Sequence, residues 1–244
     1  MRIGILETDK LRLEIKQKYG SYADMFQQLF LSVDAGLEFN VYQVIDGQYP
    51  ASIDECDAYL ITGSQFSAYD NDAWLLKLRE YVVYLHQQKK KLIGICFGHQ
   101  VIAHALGGET KRSDKGWGVG NKTSEIKVIK QWMDKNEKSF SLLFSHQDQV
   151  TSLPQGSELI ASNDFCKISS FQLGDHILCF QGHPEFSEDY LSYLINKRRD
   201  LIGEDIVKQA QDSLKTKHDG KRVAKWLINF IKSVPKTSQD ALAN

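Results

Sequence analysis

Proline and cysteine are both scarce in this chain of 244 residues, with four of each. Cys56, Cys96, Cys166 and Cys179 show neither CxxC nor zinc-site spacing, and a chain of this length can bury a core without disulfide staples. The disulfide-built secreted scaffolds are thereby excluded, and a reducing, cytoplasmic setting is expected. No apolar run approaches the length of a membrane span, and the opening MRIGILETD has no signal-type apolar region, so no membrane role is expected. Excess charge is missing too: 30 Lys and Arg face 31 Asp and Glu, for a formal net charge of -1. Such a balance provides no general field for nucleic acid, and the short QQKKK run at Gln87 to Lys91 reads as the solvated end of a helix. There is no internal repeat, heptad run, low-complexity segment or GxxxxGK[ST] phosphate loop. Neither a cofactor nor a bound metal is expected.

What is present is a series of short apolar, β-branched runs: Ile3 to Leu6, Phe39 to Ile45, Ala58 to Ile61 and Leu92 to Cys96. Tyr22, Phe26, Leu29, Phe30 and Val33 recur at helical spacing between the first two, and Trp74, Leu75, Leu78, Val82 and Leu85 between the last two. Strand, helix, strand in this order predicts a parallel sheet with helices on its faces. Beyond Gly107 and Gly108 the runs crowd together at Ser124 to Ile129, Ser139 to Phe144, Glu158 to Asn163, Lys167 to Leu173 and His176 to Gln181. The gaps are too short for helices, which predicts an antiparallel or mixed extension of the sheet. The fold class is therefore α/β, a three-layer sandwich around a central, mostly parallel mixed sheet. Residues 1–186 are expected to form the main domain. Residues 187–234 should form a helical extension packed on it, and residues 235–244 a flexible tail.

Gly94, Cys96 and Gly98 alternate where the fourth strand must turn sharply into a helix beginning near Gly98 or His99. This is the cysteine version of a nucleophile elbow, in which flanking glycines leave room for a side chain on a strained turn. Cys96 then sits at the positive end of the helix, and the Phe97 N–H faces the same space, where it can hold an oxyanion. A lone buried cysteine is more often inert, and a nucleophile needs a base. His183 directly follows the last apolar strand, and Glu185, two positions on, can reach the same side of an extended segment to orient the imidazole. Cys96, His183 and Glu185 thus form a candidate nucleophile, base and orienter.

GICFGHQ followed by LGG, then SHQDQV, then GHPEF, resembles the class I glutamine amidotransferase family, most closely the glutaminase part of GMP synthetase and its stand-alone relatives. The resemblance runs in ordered blocks from LITGS to GHPEF. It implies a flavodoxin-like sheet and a Cys-His-Glu triad that hydrolyses a γ-glutamyl amide through a thioester. It also implies that Gly63, in ITGS, supplies a second oxyanion N–H and that Gln100 helps to recognise glutamine. His146 and Asp148 match the family's SHGD segment, although Gln147 replaces its usual glycine. For His146 a pocket-edge or structural role is favoured over catalysis. His99 and His104 are read as helix-face or packing residues, His176 as a strand-end residue, and the glycine-broken Arg112 to Gly120 segment as either a loop bordering the pocket or a surface turn.

Beyond the triad there is no phosphate loop and no SGGxDS-type pyrophosphatase signature. Three readings follow: a glutaminase subunit delivering ammonia to a separate synthetase, a stand-alone hydrolase of γ-glutamyl peptides or amides, or a non-catalytic binding module on the same fold. The presence of all three triad residues disfavours the last. The expected ligand is glutamine or another small γ-glutamyl compound.

Overall fold

The computed structural model describes residues 1–234; the expected tail, residues 235–244, lies outside the described residues. Its parallel half contains β1 (Arg2–Glu7), β2 (Glu38–Gln43), β3 (Ala58–Ile61) and β4 (Lys91–Ile95). Helices α1 (Leu13–Tyr19) and α2 (Tyr22–Leu31) separate β1 from β2, and α3 (Ala73–Gln87) separates β3 from β4. Helix α4 (Phe97–Ala105) leaves β4 directly. Strands β5 (Glu109–Arg112), β6 (Gly118–Ile126), β7 (Ser139–His146), β8 (Asp148–Ser152), β9 (Ser157–Ser162), β10 (Ser170–Leu173) and β11 (Ile177–Phe180) follow. The described chain closes with α5 (Glu188–Lys197), α6 (Arg199–Ile202), α7 (Glu204–Ser213) and α8 (Gly220–Lys232).

Nine strands form one sheet in the order β2-β1-β3-β4-β11-β10-β9-β6-β7, while β5 and β8 pair separately. The first five in that order are parallel to their neighbours, and the remaining four are joined antiparallel. Along the parallel strands successive side chains enter opposite layers, as the two-residue period requires. Ile3, Ile5, Leu60, Ile93, Ile95, Leu178 and Phe180 share a core with α2 and α8. Tyr59, Ile61, Leu92, Ile177 and Cys179 pack against α3 and α4 on the other face. A third core joins Val119 and Leu143 of the antiparallel half to α1, α5 and α7. This is the expected α/β sandwich, with a mixed sheet between helical layers.

Local chemistry explains the boundaries. Helix α2 opens with a capping box in which the Ser21 and Asp24 side chains exchange bonds with each other's backbone N–H. The expected strand at Phe39 to Ile45 stops at Gln43, because Val44–Asp46 turn as a three-ten helix closed by Gly47 at φ 75°, with Val44 buried beneath the turn. The expected strand from Ser124 begins six residues earlier, at Gly118. A Cβ at Gly118 would meet the Phe165 ring at 2.5 Å, and one at Gly120 would meet Ser213 Oγ at 2.4 Å. These glycines allow β6 to be approached closely and do not break it. The SHQDQV segment is likewise strand, with β8 starting at Asp148. Short α1 and β5 carry too weak a pattern to be read beforehand, whereas the helical spacing of Ile206, Val207, Ala210 and Leu214 around α7 went unread.

All four cysteines are buried and free. No helix among the described residues is long and apolar enough to cross a membrane.

Candidate active site

Cys96 takes φ 53° and ψ -100°, between the end of β4 and the start of α4. A left-handed φ is costly for a side chain with a Cβ, and here the surroundings impose it. The Cys96 N–H donates to Phe180 O on β11 (2.9 Å) and the Gly98 N–H to Thr62 O after β3 (3.2 Å), so neighbouring strands grip both sides of the elbow. A Cβ on Gly98 would lie 2.3 Å from Ile61 O, and one on Gly94 would lie 2.7 Å from the Gly98 carbonyl. Both glycines are therefore required by backbone contact, and the helix starts at Phe97, a residue or two before the expected start.

His183 follows β11 and is fixed by its own N–H, which donates to Leu143 O on β7 at 2.8 Å. Its ring lies flat on Phe186, with centroids 3.8 Å apart, and its Nδ1–H donates to Glu185 Oε1 at 2.7 Å. That bond holds one tautomer and leaves Nε2 free. Burial of the ring opposes a charged imidazolium, but the charges of Glu185 and Cys96 outweigh burial and raise the His183 pKa to about 10. The imidazole is therefore set to take up a proton that Cys96 gives up.

Gly63 closes the group. A Cβ there would meet His183 Cε1 at 2.8 Å and come within 3.8 Å of Cys96 Cβ, so this backbone, the imidazole and the thiol share one small volume. Thr8 secures the loop: its Oγ1–H reaches Gly63 O at 3.0 Å, and Ser64 Oγ–H donates to Thr8 O at 2.7 Å. Among the described residues neither the Gly63 nor the Phe97 N–H has an intramolecular acceptor.

A cleft of about 310 Å³ opens beside Cys96. Its lining includes Cys96, Gln100, Trp117, His146, Asp148 and Arg198; Gly63, Phe97 and His183 do not line it, and Glu185 lines a separate cleft with Phe186 and Tyr190. The Gln100 amide nitrogen donates to Asp148 O (2.6 Å) and Gln181 Oε1 (3.1 Å), which leaves its carbonyl oxygen as what it can offer a ligand. The Asp148 carboxylate accepts from Ser67 Oγ (2.6 Å) and Tyr69 OH (3.2 Å). His146 is buried with neither ring nitrogen partnered, and burial, aided by the charge of His183, pushes its pKa well below the ordinary value. It is neutral here. His99 Nδ1–H donates to Gln181 Oε1 at 3.2 Å, and burial lowers its pKa to about 3, which makes it a packing residue. Among the described residues no group of three or more His, Cys, Asp or Glu side chains is arranged to hold a metal.

Sequence reasoning missed Ser145 and Arg198, and it left Trp117 inside a segment of undecided role. Arg198 sits in the charged KRRD run and carries no motif signal; only the fold turns it toward the cleft.

Fold and site define an α/β protein in which a cysteine on a strained strand-to-helix elbow stands beside a histidine–carboxylate pair and opens on a small polar cleft. The family model for glutamine amidotransferase class I matches residues 19–196. Gamma-glutamyl peptidase 2 from Arabidopsis thaliana is 34% identical over 227 residues, covering 89% of this chain and 90% of that protein. Gamma-glutamyl peptidase 3 from the same plant is 32% identical over 235 residues, covering 89% and 91%. A glutamine amidotransferase of Thermotoga maritima superposes with a TM-score of 0.71 at 17% identity, covering 94% of this chain and 95% of that one. The chain belongs to the class I glutamine amidotransferase family.

Proposed function

We propose that this protein hydrolyses the γ-glutamyl amide bond of small peptides or amides through a thioester on Cys96, without a synthetase partner. The observation that carries this reading is the convergence of the Cys96 elbow, the His183–Glu185 pair and the Gly63 backbone in one volume at the cleft. Similarity to proteins named γ-glutamyl peptidases over most of the chain supports a peptide leaving group over ammonia delivery to an acceptor subunit.

In this mechanism the Cys96 thiol gives its proton to His183 as Sγ attacks the δ-carbonyl carbon, and the oxyanion that forms is held by the Gly63 and Phe97 N–H groups. His183 gives its proton to the leaving nitrogen as the C–N bond breaks, and the amine departs from a γ-glutamyl thioester. Water then loses a proton to His183 and attacks the thioester, releasing glutamate and restoring Cys96. Glu185 keeps the imidazole oriented throughout. Gln100 lines the γ-glutamyl pocket and His146 its edge. In this reading residues 1–186 carry the chemistry, while the helices of residues 187–234 complete the cleft wall.

The test is to incubate the purified protein with glutamine and a panel of γ-glutamyl peptides and amides, measuring glutamate and each leaving amine. Turnover of peptides well above that of glutamine is expected. Glutamine hydrolysis that awakens only beside a synthetase would replace this reading with the glutaminase subunit, and no turnover of any member in either setting would leave the binding module.

A further inference from the structure

Arg198 occupies the junction of α5 and α6, closing one helix and opening the next, with its N–H bonded to Leu194 O at 3.0 Å. Its backbone is therefore held by a helix. The side chain lines the cleft that contains Cys96. There its guanidinium lies 5.4 Å from the centre of the Trp117 ring, and one Nη1–H donates to Ser145 Oγ at 2.8 Å. A guanidinium offers several N–H groups in a planar fork that matches a carboxylate, so most of this fork is unspent.

The acids Asp9 and Asp148 bond to other partners. Asp9 feels the charge of Arg198, but its oxygens accept the Lys10 N–H (2.8 Å), the Gln65 N–H (2.9 Å) and Gln65 Nε2 (3.0 Å). Asp148 is held by Ser67 and Tyr69. Among the described residues Arg198 forms no ion pair. Trp117 and His146 line the cleft beside it, and Trp117 Nε1 and both nitrogens of His146, a residue that is 5% exposed, are buried without partners. A fixed cation with unspent N–H groups suits an anion, and buried polar atoms such as these ordinarily have partners. Arg198 also lies just past the residues matched by the family model, outside the segment that the family model describes.

We infer that Arg198, seated on Trp117 and pinned by Ser145, is a specificity-determining residue that pairs with a carboxylate of the γ-glutamyl substrate, an inference that rests on the function proposed above. The carboxylate has two sources: the α-carboxylate of the γ-glutamyl unit or the free carboxylate of a leaving amino acid or peptide.

The experiment compares γ-glutamyl-glycine with γ-glutamyl-glycinamide, which lacks the leaving-group carboxylate, in wild type, Arg198→Lys and Arg198→Gln. Losing a charge-assisted pair should raise KM by roughly 10- to 100-fold with little change in kcat, and the lysine variant should recover part of the loss. A rise for γ-glutamyl-glycine alone assigns the contact to the leaving group; a rise for both assigns it to the α-carboxylate. An unchanged KM for both substrates, or a fall in kcat alone, overturns the inference while leaving the proposed function standing. If wild type turns over neither compound, the proposed function fails separately. Calorimetric titration of γ-glutamyl-glycine into Cys96→Ala and into the Cys96→Ala, Arg198→Gln double variant then decides: weaker binding in the double variant supports the pairing and equal binding overturns it. Circular dichroism melting of each variant checks that the fold is retained.

Discussion

The parallel and antiparallel halves of the sheet contribute to the cleft in opposite ways. In the parallel half, strands buried on both faces bring backbone so close to backbone that glycine is obligatory at 94 and 98, and the Cys96 elbow is held by two neighbouring strands. In the antiparallel half, β7 brings up Ser145 and His146, and the loop before β6 brings Trp117; here polar atoms are left without partners. The proposed chemistry sits where the structure is over-determined, and the inferred carboxylate contact where the Arg198 fork remains unspent.

The largest effect should come from Cys96→Ala, which removes the proposed nucleophile: turnover should fall to background, and mass spectrometry should find no acyl adduct, while the melting curve stays cooperative. A labelled Cys56, Cys166 or Cys179 in that variant would break the assignment of chemistry to the elbow. His183→Ala should cost roughly 100- to 10,000-fold in kcat/KM. Glu185→Gln should cost less, and the double variant should be no worse than His183→Ala, because the two act as one unit. Fully additive losses would mean that they act apart.

Next in size is Gly98→Ala, whose Cβ would be driven into the carbonyl of Ile61, a backbone atom with little freedom to move. Overpacking of this kind costs about 1–3 kcal/mol, and denaturant unfolding should show it. In contrast, Gln147→Gly, in the antiparallel half, should cost no more than about 1 kcal/mol and leave activity nearly intact, because Gln147 does not have a positive φ and gains nothing from glycine. Equal losses in the two variants would erase the distinction between the halves.

The buried histidines also differ from one another in pH response. His99 and His146 stay neutral when folded but accept a proton near pH 6.5 when unfolded, so the stability they allow is present above pH 6.5 and is lost as pH falls below it. Each contributes a slope of about 1.4 kcal/mol per pH unit, and His146→Asn should remove one such share of the acid limb. His183 has the opposite sign. Its folded pKa is raised to about 10, so its contribution is complete below pH 6.5 and is lost as pH rises toward 10. Glu185→Gln should flatten that alkaline limb, and urea midpoints measured from pH 4.5 to 10 would check both.

Legibility in the sequence followed the same division. Apolar runs alternating with helical stripes announced β1, β3, β4 and α3 almost to the residue, because burial on both faces leaves such strands little choice of composition. Gly94, Cys96 and Gly98 were readable as an elbow because the backbone contact admits no Cβ. The start of β6 was hidden since its glycines serve packing against Phe165 and α7, a long-range reason that no local pattern reveals. Arg198 was hidden for a related cause: on a charged helix end an arginine facing water and one facing a cleft look alike.

The single backbone bond from His183 to Leu143 joins the segment after β11 to β7, two strands far apart in the sheet order. That bond makes one amide proton a clock. Its exchange with deuterated solvent requires the two halves to part at His183, so its rate counts openings of the site directly. A ligand that bridges Cys96 on one side and Ser145 or Arg198 on the other should slow that clock, even in a protein whose cysteine has been removed.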